Sequence, residues 1–417
     1  MSFRIAFALG TAMPSAGLIA FMCLTQVVGM LSFATFSALL PTFIDIWSIT
    51  GTEAGWLSGL FYAGYMLAVP VLSGLTDRID ARRVYLWSMA LTAAATLAFA
   101  LLADGFWSAV PLRLLAGAGL AGTYMPGLKA LTDRLPDGAQ PRAVSFYTAS
   151  FAIGSSLSYL FAGEVAAWLG WRWAFALPAV GIALSFLVAY LILRPRPVEI
   201  PAGDAETWLL DFRPVLRNRE AMGYILAYAA HNWELFGFRS WIVVFLVFSA
   251  SLQPDAAAGW WAATTIAAGL NLLGMPSSVI GNEVATRLGR RRVVIAMMLC
   301  SLTIACLVGF AAALPFALVV GLCVLHAVFI TCDSASITTG TVQAATPERK
   351  GATMALHSFI GFALAFLGSL APGVVLDLAG GAESQLAWGF AFATMGAGLL
   401  LGPLALLALS KGRSAAG

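Results

Sequence analysis

Long stretches of continuously apolar residues, separated mostly by short polar connections, recur along the whole chain. A helix needs about 20 mostly apolar residues to cross the hydrocarbon core of a bilayer. Because these stretches are continuous and do not alternate with polar residues, they favour helices over the strands of a transmembrane β-barrel. The pattern predicts twelve membrane-spanning helices, numbered here as spans 1 to 12: 18–44, 54–75, 83–103, 108–131, 143–166, 172–193, 221–249, 258–280, 291–312, 315–340, 351–376 and 387–408.

One connection is much longer and more polar than the others. Residues 194–220 hold four prolines and charges of both signs, which is typical of a linker between domains. We therefore expect an N-terminal six-helix bundle at 1–193, a cytoplasmic linker at 194–220 and a C-terminal six-helix bundle at 221–417.

The composition excludes a soluble globular enzyme. Of the 417 residues, 60% are hydrophobic and 10% are charged, whereas a soluble domain carries about 25% charged residues. The basic residues are scattered among loops and form no single face, so we expect no nucleic-acid partner. All five cysteines lie inside apolar stretches without metal-binding spacing, so we expect no disulfide, metal or cofactor.

The positions of Lys and Arg predict the orientation of the spans. If both termini are cytoplasmic, 19 of the 23 basic residues lie in cytoplasmic segments and only Arg172 lies in a loop on the opposite side. Basic residues concentrate in cytoplasmic loops of membrane proteins. We therefore expect a multi-pass protein of a bacterial-type cytoplasmic (inner) membrane. The short apolar run after Arg4 is interpreted as a cytoplasmic lead-in to span 1 and not as a cleaved signal peptide.

Two loops of similar sequence lie half a chain apart. Residues 73–83 follow span 2 and residues 281–292 follow span 8, and aligning Arg78 with Arg287 gives an offset of 209 residues in a chain of 417. Two six-span halves with the same basic loop in the same place indicate a duplicated transporter architecture.

These loops resemble the signature between spans 2 and 3 of the major facilitator superfamily, a short turn with an acid, an arginine, a glycine and further basic residues. Asp80 stands where the signature has glycine, and aspartate tolerates the left-handed conformation expected there. In the second loop Gly289 is present, Thr286 replaces the acid, and Glu283 is expected to substitute for it. The resemblance implies a conformational latch, formed by Gly74, Asp77, Arg78, Arg82, Glu283, Arg287, Gly289 and Arg291.

Other stretches extend the resemblance over the chain. Residues 113–119 in span 4 read Arg-Leu-Leu-Ala-Gly-Ala-Gly, similar to an Arg-x-x-x-Gly-x-Gly pattern of the superfamily, and the start of span 6 at 170–175 is also similar. The resemblance implies an all-α membrane fold of two pseudo-symmetric six-helix bundles, with spans 1, 4, 7 and 10 lining a central cavity. Span 5 lacks the Gly-Pro pair of many antiporters of the superfamily, which weakens a drug-efflux assignment.

Ionisable residues inside spans are costly and usually face a cavity or a partner, so they are the candidate site. Helix rise places Arg113, Glu234 and Arg239 in an outer tier, His231 and His326 near the midplane, and Asp333 with Lys129 towards the cytoplasm. His231 and Glu234 are spaced to touch. The predicted substrate-binding residues are Arg113, Tyr124, Gln26, Trp233, Arg239 and His326, and the predicted proton-coupling residues are Glu234, His231 and Asp333.

The leading hypothesis is a secondary active transporter that moves a small solute by alternating access. It is expected to be proton-coupled, with a preference for anionic or carboxylate substrates, because arginine binds oxyanions through its planar fork. The alternative is a proton-driven exporter of amphipathic or cationic compounds. A membrane enzyme is disfavoured, since the sequence has no HExxH, GxSxG or phosphate-binding glycine loop. The expected partners are a small-molecule substrate and membrane lipid, and we expect a monomer.

Overall fold

The computed structural model describes residues 14–197, 212–253 and 263–409, whose regular structure is helical throughout. The chain follows the predicted order of twelve spans, eight of which are single helices. These are span 2 Gly51–Leu75, span 3 Ala81–Leu102, span 5 Gln140–Leu169, span 6 Trp171–Ile192, span 7 Arg219–Ser251, span 8 Ala263–Leu288, span 9 Arg290–Phe310 and span 11 Lys350–Leu378.

The other four spans are interrupted. They are span 1, with Ser15–Met30, Thr35–Ala38 and Leu40–Trp47; span 4, with Phe106–Thr123 and Met125–Thr132; span 10, with Phe316–Cys332 and Ser334–Ala344; and span 12, with Gln385–Leu399 and Leu401–Leu409. In the described part of the chain, nine helical segments are long and apolar enough to cross a membrane by length and composition. The predicted beginning of span 8 at 258–262, most of the linker and the basic residues near both termini lie outside the described residues.

Side-chain caps fix where several spans begin. At span 2, Thr50 accepts a hydrogen bond from the Glu53 N–H while Glu53 accepts one from the Thr50 N–H, which forms a capping box. Asp80 caps span 3, Asn218 caps span 7 and Ser384 caps span 12. These caps satisfy N–H groups that have no partner inside the helix, and they place the helix starts two or three residues before the predicted ones.

The breaks in spans 4 and 10 occupy equivalent positions. Span 4 is interrupted at Tyr124, just before Pro126, and span 10 is interrupted at Asp333. The two residues are separated by the same offset of 209 that relates the basic loops. The break at Pro126 follows from the missing backbone N–H and the ring clash of proline. By contrast, Pro276 lies inside an uninterrupted span 8.

Spans 1–6 are here called the N half, and spans 7–12 the C half. The halves meet mainly along two pairs of helices. Span 2 packs on span 11, and span 5 packs on span 8. In the first pair, Gly51, Gly55 and Gly59 recur at four-residue spacing and face the backbone of span 11; a Cβ atom at Gly55 would lie 2.9 Å from the Leu370 carbonyl oxygen. Small residues at this spacing let two membrane helices approach closely.

The two ends of the bundle differ in charge. The arginine-rich end carries the connections at 76–80, 133–139, 289 and 345–349. At the opposite end, which carries the connections at 48–50, 103–105 and 379–384, Asp377 of span 11 accepts hydrogen bonds from the N–H groups of Gly51 and Thr52, at 2.8 and 2.7 Å. A carboxylate of the C half thereby caps a helix of the N half. We call this contact the Asp377 cap.

Candidate functional site

Arg113 of span 4 is buried without a carboxylate partner. Its side chain is 4% exposed, its Nε donates to the Leu57 carbonyl oxygen at 3.0 Å, and its guanidinium lies 4.6 and 4.8 Å from the ring centroids of Phe36 and Phe61. In the described part of the chain no acidic side chain forms an ion pair with it. The guanidinium is therefore contacted by two aromatic faces and one carbonyl oxygen, which stabilise a cation.

Arg239 of span 7 also lacks an acidic partner among the described residues, and its side chain is partly exposed. It lines a crevice between the two halves, formed by spans 5, 7, 8 and 10. The nearest ring, Phe236, is 5.6 Å from the guanidinium. Tyr62 of span 2 lies within electrostatic range of both Arg239 and Arg113.

The crevice has apolar walls and few polar groups. The apolar lining includes Leu235, Phe238, Ile242, Leu270 and Ile330. Besides the guanidinium, the polar lining consists of Tyr159, Asn271 and Thr331. An apolar cavity with a small number of placed polar groups is the usual form of a small-molecule site.

Hydrogen bonds hold these polar groups and tie the halves together. Tyr159 of span 5 donates its hydroxyl to the Arg239 carbonyl oxygen at 2.7 Å. Asn271 of span 8 donates its Nδ2 to the hydroxyls of Ser155 and Ser156 of span 5, at 2.9 and 3.0 Å. The backbone of Arg239 and the side chain of Asn271 are therefore fixed by contacts with the opposite half.

Two acid–histidine contacts join spans 7 and 10 inside the C half. Glu234 accepts a hydrogen bond from Ser301 of span 9 at 2.9 Å on each oxygen, and His326 Nε2 lies 3.1 Å from Glu234 Oε1. His231 Nδ1 lies 2.8 Å from Asp333 Oδ1, in ion-pair contact but without hydrogen-bond geometry. All four side chains are at most 3% exposed. Each contact places a carboxylate beside an imidazole in a buried part of the C half.

These contacts correct the depth tiers. The tiers separated His231 from Asp333 and Glu234 from His326, yet the structure pairs them across spans 7 and 10. The estimate failed because it measured each helix from a guessed end.

The remaining predicted substrate residues lie elsewhere. Gln26 accepts a hydrogen bond from the Tyr147 hydroxyl at 2.8 Å inside the N half. Tyr124 stacks on Tyr147, with ring centroids 6.0 Å apart, beside the break in span 4. Trp233 donates its indole N–H to the Thr394 carbonyl oxygen of span 12 at 3.2 Å. None of the three lines the crevice, whereas Phe238, which does, packs against His326 with centroids 4.9 Å apart.

In the first basic loop, Asp80 and not Asp77 makes the acid contacts. Both carboxylate oxygens accept from Arg134 Nη2, at 2.9 and 2.8 Å, and Asp80 also accepts from the N–H groups of Arg196 and Arg82. Burial raises the pKa of Asp80, but these hydrogen bonds outweigh it and leave the pKa below its ordinary value. Asp77 is exposed. The expected left-handed conformation is wrong for Asp80, whose φ is −52° because the residue caps span 3.

The other predicted latch residues of the first loop lie on the same end. Gly74 is in the last turn of span 2, and Arg78 is exposed. Arg82 donates to the Tyr190 carbonyl oxygen of span 6 at 2.7 Å. Together with Asp80 these contacts join spans 3, 4 and 6 of the N half.

The second loop is built differently. Gly289 has φ +96°, a left-handed conformation that glycine adopts without strain. Glu283 pairs with Arg287 at 2.6 Å one turn later on the same helix, and both side chains are more than half exposed. Arg291 reaches the Leu407 carbonyl oxygen of span 12 at 3.4 Å. Further contacts between helices come from Arg290, which the prediction omitted and which donates to Asn282 at 2.8 Å and to the Ser336 carbonyl oxygen at 3.2 Å.

The sequence profile described as Major Facilitator Superfamily matches residues 22–369. The chain belongs to the Major Facilitator Superfamily. A crystal structure of a bacterial homologue of the human lysosomal transporter Spinster, in an inward-facing and unoccupied conformation, has the same fold, with a TM-score of 0.74 at 17% identity over 94% of this chain and 95% of that one. The match identifies the chain as a member of a superfamily of multi-pass membrane transporters.

Two transporters of the Major Facilitator Superfamily are similar in sequence. The sphingosine-1-phosphate transporter SPNS2 of Danio rerio is 24% identical over 255 residues, 59% of this chain and 50% of that protein. The niacin transporter NiaP of Acinetobacter baylyi is 24% identical over 163 residues, 39% of this chain and 36% of that protein. The chain thus spans half or less of the length of these two relatives.

Proposed function

We propose that the chain is a proton-coupled secondary transporter of a small organic anion. The observation that carries the proposal is the guanidinium of Arg239, which faces the crevice between the halves and has no acidic partner among the described residues. An anion bound there would neutralise a charge that is costly to leave uncompensated inside a membrane. Arg113, equally without an acid, adds positive potential from the N half.

The acids of the C half support anion transport over cation transport. Glu234 is fully buried against Ser301 and His326, and Asp333 against His231, so neither carboxylate lines the crevice. A cationic substrate would find a guanidinium and no accessible acid. The relatives named for sphingosine-1-phosphate and niacin, both of which carry an acidic group, agree with an anionic substrate.

Coupling would pass through spans 7 and 10. Phe238 and Ala327 line the crevice, while Glu234 and His326, on the same two helices, form the nearer acid–histidine contact. A change in the protonation of this pair alters the packing of the two helices that hold Arg239. Proton binding and anion binding therefore share structural elements, which energetic coupling between sites requires.

The proposed motion is a rocking of the halves 1–193 and 221–417 about the crevice, with residues 194–220 as the linker between them. We assign the arginine-rich end and both termini to the cytoplasm of a bacterial-type inner membrane, because basic loops remain cytoplasmic. The Asp377 cap then closes the outer end. We further propose that the protein acts as a monomer surrounded by lipid.

Flux into proteoliposomes tests the function. A pH gradient should drive accumulation of a small radiolabelled carboxylate, and Arg239→Met should abolish it. The matched control is Arg172→Met, which removes an exposed arginine that lies over the ring of Trp171. Uptake or export of organic cations without any anion flux would favour the alternative, a proton-driven exporter of amphipathic or cationic compounds.

A further inference from the structure

The hydrogen-bond donors and acceptors of the crevice indicate more about the substrate than its negative charge. Asn271 Nδ2 donates to Ser155 Oγ, and Ser155 Oγ uses its own proton on the Ala152 carbonyl oxygen at 3.0 Å. In this arrangement Ser155 accepts from Asn271, and the amide nitrogen is directed towards span 5. The orientation of the amide follows from the hydrogen-bond network.

This orientation leaves Asn271 Oδ1 as an acceptor without a partner. The atom is buried, and no described donor reaches it. A buried acceptor without a hydrogen bond costs free energy, so such groups call for a partner that the protein does not supply. The residue lines the same crevice as the Arg239 guanidinium.

Two other polar groups of the crevice are also limited to accepting. The Thr331 hydroxyl donates to the Ala327 carbonyl oxygen at 2.8 Å, and the Tyr159 hydroxyl donates to the Arg239 carbonyl oxygen at 2.7 Å. Their protons are used inside the protein, while their oxygen lone pairs remain. The crevice thus presents one cationic donor, the Arg239 guanidinium, and three acceptor oxygens.

From this set we infer that the substrate is an organic anion that also carries a hydrogen-bond donor, a hydroxyl or an ammonium group, beside an apolar body: a hydroxy- or amino-carboxylate. The inference rests on the proposed anion transport and narrows its substrate class. The anionic group binds Arg239, the donor binds Asn271 Oδ1, and the apolar body contacts walls such as Phe238 and Leu270.

A matched series of ligands tests this class. Binding of 3-phenylpropionate, 3-phenyllactate, phenylalanine and 3-phenyl-1,2-propanediol to the detergent-purified full chain is measured by calorimetry. We expect 3-phenyllactate or phenylalanine to bind roughly tenfold more tightly than 3-phenylpropionate, as one hydrogen bond to a buried acceptor would give. The diol, which has donors but no charge, should bind weakly.

Two variants test which acceptor of the crevice binds the hydroxyl or ammonium group of the ligand. Asn271→Leu should reduce the preference for the hydroxylated or aminated ligand to less than about threefold, since its acceptor is gone. Thr331→Val, which removes a smaller acceptor, provides a second test should Asn271→Leu fail to fold. Thr303→Val is its control, because the Thr303 hydroxyl bonds only within its own exposed helix turn.

The outcomes separate the two claims. Equal affinity for 3-phenylpropionate and 3-phenyllactate in the wild type, or a preference that survives both substitutions, overturns the inference and leaves anion transport standing. Absence of binding by every anion of the series, or binding that is unchanged in Arg239→Met, overturns the proposed function itself.

Discussion

His231 Nδ1 lies 2.8 Å from Asp333 Oδ1, so span 7 meets span 10 at the residue where span 10 is broken. A helix interruption inside a membrane leaves backbone groups that need partners, and it is tolerated where the chain is buried or lines a cavity. The equivalent break in span 4, at Tyr124, faces Tyr147 and Phe151 and carries no acid. The two halves share the break but not its chemistry: among the described residues, the acid–histidine contact at the break belongs to the C half.

Glu234→Gln should separate proton coupling from anion binding. Glutamine preserves the shape and can accept from Ser301, but it cannot exchange a proton near neutral pH. We expect accumulation driven by a pH gradient to fall at least tenfold, while anion exchange at equal pH is retained. Glu164→Gln, at an exposed position in span 5, is the control. Loss of exchange together with accumulation would assign Glu234 to substrate binding or to folding.

Asp80→Asn should destabilise the N half by about 1–3 kcal/mol, since the Arg134 guanidinium loses its carboxylate partner. Asp77→Asn, at an exposed position in the same loop, should change the free energy of unfolding by less than about 0.5 kcal/mol. Both are measured by denaturation in detergent. Equal effects of the two substitutions would contradict the assignment of the acid contacts to Asp80.

The Asp80 carboxylate should also make the stability of the protein depend on pH, in a direction that its pKa determines. The pKa of Asp80 is lowered in the folded protein, so its contribution is fully present above the ordinary aspartate value of about 3.9. The contribution is lost as the pH falls through the lowered value. The stability difference between wild type and Asp80→Asn should therefore be constant from neutral pH to about pH 4 and should close below it. A difference that already closes between pH 7 and 5 would point to another group.

The sequence predicted the spans well because apolar length depends on local composition alone. It located the ends of the spans to within a few residues. The caps Asp80 and Asn218 explain why spans 3 and 7 begin earlier than predicted. It also selected Arg113 and Arg239 correctly as charges inside spans, since an intramembrane charge is visible in one sequence.

The pairing of these charges could not be read from the sequence. Contacts such as Glu234 with Ser301 or His231 with Asp333 depend on helix rotation and on the break in span 10, which no proline marks. Tyr62 and Tyr159 were missed because aromatic residues in spans usually serve packing. The serine pair at 155–156, present in the sequence as a polar interruption of span 5, was the one available signal for the Asn271 contact.

Asp377→Asn should weaken the Asp377 cap, which joins the two halves at the end opposite the arginine-rich one. It should therefore shift the equilibrium towards conformations in which this end is open. The carboxylate holds two N–H groups at the first turn of span 2, where a negative charge is favourable by about 0.3–1 kcal/mol. The amide keeps one acceptor and loses the charge. We expect labelling of a cysteine introduced near Gly51 to accelerate about two- to fivefold, corresponding to this range. Asp104→Asn, in another loop at the same end and bonded to its neighbour Ser108, should leave the labelling rate unchanged. If the two variants label equally, the cap has no conformational role.

Arg113→Met should lower transport without lowering stability. Methionine fills the space between Phe36 and Phe61 and removes a buried cation that has no acidic partner among the described residues. Because an apolar replacement of a buried charge is often neutral or stabilising, we expect the free energy of unfolding to stay within about 1 kcal/mol of the wild type or to rise. Anion uptake should fall at least tenfold, because the positive potential contributed by the N half is lost. Arg142→Met, which removes an arginine over an exposed ring, should affect neither quantity. A loss of stability of more than about 3 kcal/mol with normal anion binding in the remaining folded protein would instead make Arg113 a packing residue, and Arg239 alone would then define the anion site.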